Sequence, residues 1–257
     1  RKPPYTILSE FDPSSGTLTI DNSVINAKTM GVQVCAGSLN ISGAGTAITV
    51  SGDGIDKTIN DGAIEDGAAI SIVNRAGYKG LGDVTVTGGT FKANGTNEAI
   101  KAYDWNNTNK GEETFTANDK VAVSGGSFSS AVPEGLCATG YIPTTNSDGT
   151  YGVKEGQYVA YVGKSTNKFE TLQKAIDAAR DNQTVRLLAD ITLTETAVFP
   201  EGRKVSINLQ GHKITATGTA LRINGTTEIN SSKAGAPDAA QTGMIESTNN
   251  VAVAVGD

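Results

Sequence analysis

The chain has 257 residues, 31 of them glycine, and its 37% hydrophobic and 19% charged residues fall below the shares usual in globular domains. A formal charge of −6 gives a phosphate-binding surface no electrostatic support, and no run approaches the ~18 apolar residues of a membrane span. Nucleic acid, anionic membrane surfaces and membrane insertion therefore drop out, and one histidine with two distant cysteines excludes most His- or Cys-rich metal sites and any disulfide framework.

Thr, Ser, Asn and Gly fill the remainder, residues of strands and turns rather than of helices. The chain opens on RKPPYT, with no initiator Met and no apolar signal segment, and stops inside the alternating run VAVAVGD. Both ends are expected to continue into something longer. Between them, short alternating runs recur, each bounded by Gly, Asn, Ser or Asp. They begin with GTLTI (16–20), GVQV (31–34), GSLNI (37–41), TAITV (46–50), AISIV (69–73), DVTV (83–86) and KVAV (120–123). The second half adds VRLL (185–188), ITLT (191–194), KVSINL (204–209), ALRI (220–223) and VAVAV (251–255). Apolar residues two apart give one buried and one solvated face. The runs recur roughly 16 to 37 residues apart, the spacing of solenoid layers with loop insertions.

One internal repeat stands out. VTVTGGTFKA (84–93) matches VAVSGGSFSS (121–130) in pattern: an alternating strand, a Gly-Gly turn, then Thr or Ser and an inward Phe. Stacking the two copies would place Phe91 above Phe128. Many short strands with turn signals also suit a β-sandwich, but the repeated GG-[TS]-F corner favours an all-β parallel solenoid. Further on, YIPTT (141–145) and TYGV (150–153) flank Asn146-Ser147-Asp148-Gly149 and predict a β-hairpin that closes the first array. One helix is predicted near 168–180, from the stripe Phe169, Leu172, Ala175, Ile176 and Ala179. Asn167 is its expected N-cap with Glu170 three residues on, and its expected task is to cover the open end of a β-stack.

Two stretches resemble a known family. GGSFSSAVPEGLCATGYIPTTNSDGTYGV (125–153) resembles the closing segment of right-handed parallel β-helix (pectate-lyase-like) domains in large surface proteins of anaerobic Gram-positive bacteria. YVAYVGKSTNKFETLQKAIDAARDNQTVRLLADITLTE (158–195) with KVSINLQGHKI (204–214) resembles their opening segment. The resemblance implies a domain 1–156, the end of one array with its closing hairpin, and a domain 157–257, the helix-capped start of a second. It also implies an extracellular location, at the bacterial cell surface or secreted, and adhesive partners: a host or microbial glycan or a surface protein. Head-to-tail self-association follows as a further expectation, the rung near 245–255 of one copy stacking beneath that near 6–20 of the next.

Lyases of this fold bind Ca²⁺ through carboxylates and use Arg or Lys as base, so the acidic stretch Asp53, Asp56, Asp61, Glu65 and Asp66, with Arg75 nearby, is the candidate metal site. The same residues read equally as Asx and Gly turn chemistry. Glu112, Glu113 and Asp104 are the carboxylates a glycoside hydrolase would need, although adjacent glutamates on extended chain face opposite ways. The long insertion 96–119 also carries Tyr103-Asp104-Trp105-Asn106-Asn107, an aromatic face beside amide and carboxylate groups, which suits a sugar ring and equally suits pinning the loop to the wall. His212 is expected to make a structural turn hydrogen bond, and Cys35 and Cys137 to sit as small apolar residues. The paired threonines (Thr17/Thr19, Thr85/Thr87, Thr192/Thr194) lack the even spacing of an ice-binding ladder. The expectation is a non-catalytic surface module without an obligatory cofactor, the alternative being a carbohydrate-active β-helix enzyme.

Overall fold

The computed structural model describes residues 7–8, 16–54, 65–75, 80–105, 116–232 and 242–256. The chain divides into two compact units, Arg1–Gly156 and Gln157–Asp257. It is mostly strand, with parallel sheets. Among the described residues no helix is long and apolar enough to cross a membrane.

In the first unit the strands follow one another in threes. They are β1 (Ile7–Leu8), β2 (Thr17–Asp21) and β3 (Val24–Ala27), then β4 (Val32–Val34), β5 (Gly37–Ser42) and β6 (Ala47–Val50). After them come β7 (Ile70–Arg75), β8 (Leu81–Val86) and β9 (Thr90–Lys92), then β10 (Ile100–Trp105), β11 (Val121–Val123) and β12 (Ser127–Phe128). Each strand pairs in parallel with the strand three places on, giving the sheets β1-β4-β7-β10, β2-β5-β8-β11 and β3-β6-β9-β12. The register sets like over like. Ile20, Ile41, Val86 and Val123 form one column; Ile25, Ile48, Phe91 and Phe128 form another. These side chains are the core, and burying them is the main source of stability.

The Gly-Gly corners of the internal repeat have a steric cause. Gly89 and Gly126 hold φ near +109° and +108°, which residues with a Cβ rarely adopt. At Gly125 an added Cβ would sit 2.3 Å from the Thr87 carbonyl oxygen. Gly89 and Gly126 thus allow the bend at both corners, and at the second corner Gly125 also allows the close approach of the Thr87 backbone. The predicted hairpin is present as β13 (Tyr141–Thr145) and β14 (Tyr151–Glu155), and β14 lies antiparallel on β12, with Tyr151 opposite Phe128. The Asp148 carboxylate shapes its turn by accepting from the Thr150 N–H and hydroxyl at 3.0 and 2.7 Å.

The second unit begins with β15 (Ala160–Val162), β16 (Lys168–Phe169) and α1 (Leu172–Ala178). Three triplets follow: β17 (Gln183–Leu187), β18 (Ile191–Leu193) and β19 (Ala197–Phe199); β20 (Val205–Asn208), β21 (Lys213–Ala216) and β22 (Leu221–Ile223); β23 (Ile229–Asn230), β24 (Met244–Ser247) and β25 (Val253–Val255). Pairing again runs in parallel three places on, except that β15 lies antiparallel between β16 and β17.

The helix is shorter than the expected 168–180. Its first turn is lost because Lys168 and Phe169 pair with Tyr161 and Ala160 instead, and Asn167 donates its side-chain amide to the Val162 carbonyl rather than capping. Thr171 is the N-cap, its hydroxyl accepting from the Lys174 N–H at 3.2 Å. The buried stripe Leu172, Ala175, Ile176 and Ala179 holds as expected. The expected alternation fails in β4 and β20, whose residues are all buried, as in parallel sheets covered on both faces.

Candidate functional site

Two arrangements bring polar side chains together, one in each unit. In the first, β7 and β10 pair in register from Ile70 opposite Ile100 to Arg75 opposite Trp105. Ser71 and Val73 are fully buried, and Asp66, just ahead of β7, is 4% exposed. The Asp66 carboxylate accepts from the Ala68 N–H at 2.9 Å, from the Ser71 hydroxyl at 2.9 and 3.0 Å, and from the Tyr103 hydroxyl at 2.6 Å. Burial raises the Tyr103 phenol far above its ordinary range; the bond to Asp66, that residue's charge and the charge of Glu98 add to it. The Lys101 ammonium sits 5.1 Å from the centre of the Tyr103 ring and pairs with Glu98 at 3.1 Å.

Asp104 performs a second tie. Its Oδ1 accepts from the Asn74 amide at 3.2 Å and from the Ala117 N–H at 2.8 Å, joining β10 to the chain where the long insertion returns. Tyr103 and Asp104 thus belong to a strand: Tyr103 ties β10 to Asp66, and Asp104 ties the two stems of that insertion together. The Trp105 backbone ends β10; its side chain, Asn106, Asn107, Glu112 and Glu113 lie outside the described residues. Of the candidate calcium ligands, Asp56 and Asp61 also lie outside them. Asp53 is exposed and accepts from the Asn94 amide at 3.1 Å, whereas the Asp66 carboxylate is directed at Ser71 and Tyr103. Among the described residues no group of three or more His, Cys, Asp or Glu side chains is placed to hold a metal ion.

Cys35 and Cys137 form no disulfide, and burial with the nearby Glu134 charge pushes the Cys137 thiol up to about 11. His212 sits at its expected corner, Nδ1 3.3 Å from Asp190 Oδ1, which also accepts from the Lys213 N–H at 3.0 Å. The Lys213 N–H, followed by His212, holds the Asp190 carboxyl below the usual range. A depressed pKa gives a stabilisation present above the unfolded value of about 3.9 and lost as pH falls through the folded value. Asp190→Asn is therefore expected to lower the urea midpoint at neutral pH, by a difference that vanishes as pH falls through the folded value. A difference that persists in acid would remove the charge as its cause.

The second arrangement is one that sequence reasoning missed. A groove of about 460 Å³ runs along β18, lined by Thr192 and Leu193 of that strand together with Gln157 and Thr171. Glu170, Asp190 and Glu195 also line it, and no Lys, Arg or His does. The acids were visible in the sequence, but their convergence depends on β15, β16 and α1 folding over the first triplet.

No family model, curated protein or solved structure matches the chain. The two arrangements differ in what they can do. The Asp66 carboxylate already meets four donor contacts and works as a clamp. The groove presents carboxylates, hydroxyls and a sheet edge to solvent, groups that can hold a ligand.

Proposed function

We propose that this chain is a non-catalytic extracellular module of a bacterial surface protein, built as two right-handed parallel β-helical arrays that display a binding surface. The observation that carries the reading is the pairing of every third strand in parallel across three sheets, in each unit. Three parallel sheets whose strands alternate along the chain suit a coil with one strand per side, and parallel crossovers take the right hand. Among the described residues the outer edges of β23, β24 and β25 are unpaired, these strands expose Ile229, Met244 and Val255, and such edges can take a further strand, from another copy among other sources. Addition of another copy would not close and would give fibres, visible by electron microscopy as a regular axial repeat.

The ligand expected at the Tyr103–Trp105 end of β10 is a glycan. Calorimetric titration with pectin, glycosaminoglycan and mucin panels tests this. Binding that Trp105→Ala abolishes, with unfolding unchanged, supports a glycan-binding module; affinity unaffected by that substitution counts against it. New reducing ends or unsaturated product in the same mixtures would replace the reading with a polysaccharide lyase or glycoside hydrolase.

A further inference from the structure

The first triplet of the second unit has three strand edges facing away from the later layers, and the chain covers two of them itself. The edge of β17 is paired by β15. The edge of β19 is covered by one side chain: the Gln173 amide accepts from the Val198 N–H at 2.7 Å and donates to the Val198 carbonyl at 3.1 Å, as a neighbouring strand would. The edge of β18 is different. It pairs with β21 on one side only, and no strand or side chain among the described residues bonds to the other. An edge strand directs alternate N–H and C=O groups outward, a ready template for an added strand.

The groove lies along this open edge. Its apolar lining comes from Val159, Leu172, Ile191 and Leu193, with no aromatic ring to stack on a sugar. Ile191–Leu193 offers room opposite about three residues of extended chain. The charged lining is wholly acidic, and a groove between low-dielectric walls concentrates that field on whatever enters it. We propose that the β18 edge binds an extended peptide segment bearing Lys or Arg by strand addition, main-chain bonds holding it in place and Glu170, Asp190 and Glu195 selecting its charge. This goes beyond glycan binding at β10: neither outcome there alters the edge or the acids here.

The test uses the full chain and a fluorescein-labelled heptapeptide of alternating lysine and valine, read by fluorescence anisotropy. Two further versions carry N-methyl groups on one or the other alternate set of backbone amides. A fourth replaces every lysine by glutamate. Strand addition engages one edge of the peptide, so one N-methylated version is expected to lose at least about tenfold in affinity while the other binds like the parent. The glutamate peptide is expected not to bind. Glu195→Lys, at an exposed side chain, is expected to weaken the lysine peptide roughly tenfold with an unchanged thermal melt. Equal affinity of the two N-methylated versions overturns the proposal, as does equal binding of the glutamate peptide, an unaltered affinity in Glu195→Lys, or no binding by the lysine peptide up to about 1 mM.

Discussion

Phe91→Ala is expected to lower the unfolding free energy by about 3–5 kcal/mol, read as a fall in urea midpoint at unchanged slope. The ring is fully buried between Ile48 and Phe128, its centroid 4.8 Å from that of Phe128 at a tilt of 31°. No rearrangement fills the gap easily, because the neighbouring strands β6 and β12 are fixed by backbone ladders to β9. Phe128→Ala is expected to fall in the same range. The double variant should fall short of the sum by about 0.5–1.5 kcal/mol, the usual coupling of a stacked aromatic pair. Strict additivity would mean that the rings fill space independently and that their contact adds nothing.

Removing the Asp66 carboxylate should be nearly as severe. Asp66→Ala leaves the Ser71 hydroxyl, the Ala68 N–H and the Tyr103 hydroxyl without their acceptor, in a region where Ser71 and Ala68 are almost wholly buried. Each orphaned buried donor costs about 1–3 kcal/mol, so a loss of about 3–5 kcal/mol is expected. Tyr103→Phe removes one donor and spares the other two, with an expected loss of about 1.5–3 kcal/mol. The phenol gives a second readout. A raised pKa means that its stabilisation is full below the unfolded value of about 10 and declines as pH rises from there toward the folded value. Stability of the parent protein should therefore fall more steeply with alkali than that of Tyr103→Phe. Tyrosinate absorbance of the two folded proteins should coincide at about pH 11. An extra ionisation in the parent near pH 10 would show that the hydroxyl is not held by Asp66.

The stacked repeat was legible because it is written twice: matching Gly-Gly corners and matching Phe positions fix the register of Phe91 on Phe128 without knowledge of the rest. The hairpin was legible for a similarly local reason, a Gly turn between two strand-forming runs. Local signals misplaced the start of α1, since periodicity counted Phe169 as helical while its backbone pairs with Ala160, nine residues back. Asp66 shows a different limit. In sequence it is one acid among several in a turn-rich stretch, and only the pairing of β7 with β10 brings Tyr103, 37 residues on, against it. The acidic groove has the same character, its lining drawn from 157–159, 170–173 and 190–197, which only the folding of β15, β16 and α1 over the first triplet brings together.

The doubled corner has a consequence for how such a chain changes length. A deletion joining Val86 directly to Ser124 would remove β9, β10 and β11, one strand from each sheet of the first unit. The new junction reads Val-Ser-Gly-Gly-Ser-Phe in place of Val-Thr-Gly-Gly-Thr-Phe, and Phe128 would come to rest on Ile48, where Phe91 rests now. Unequal crossing-over between the two copies in the gene produces that deletion, and the reciprocal product carries an additional strand in each sheet. The corner is thus a seam at which each of the three sheets can lose or gain one strand, long insertion included, while each join keeps its glycines and its ring.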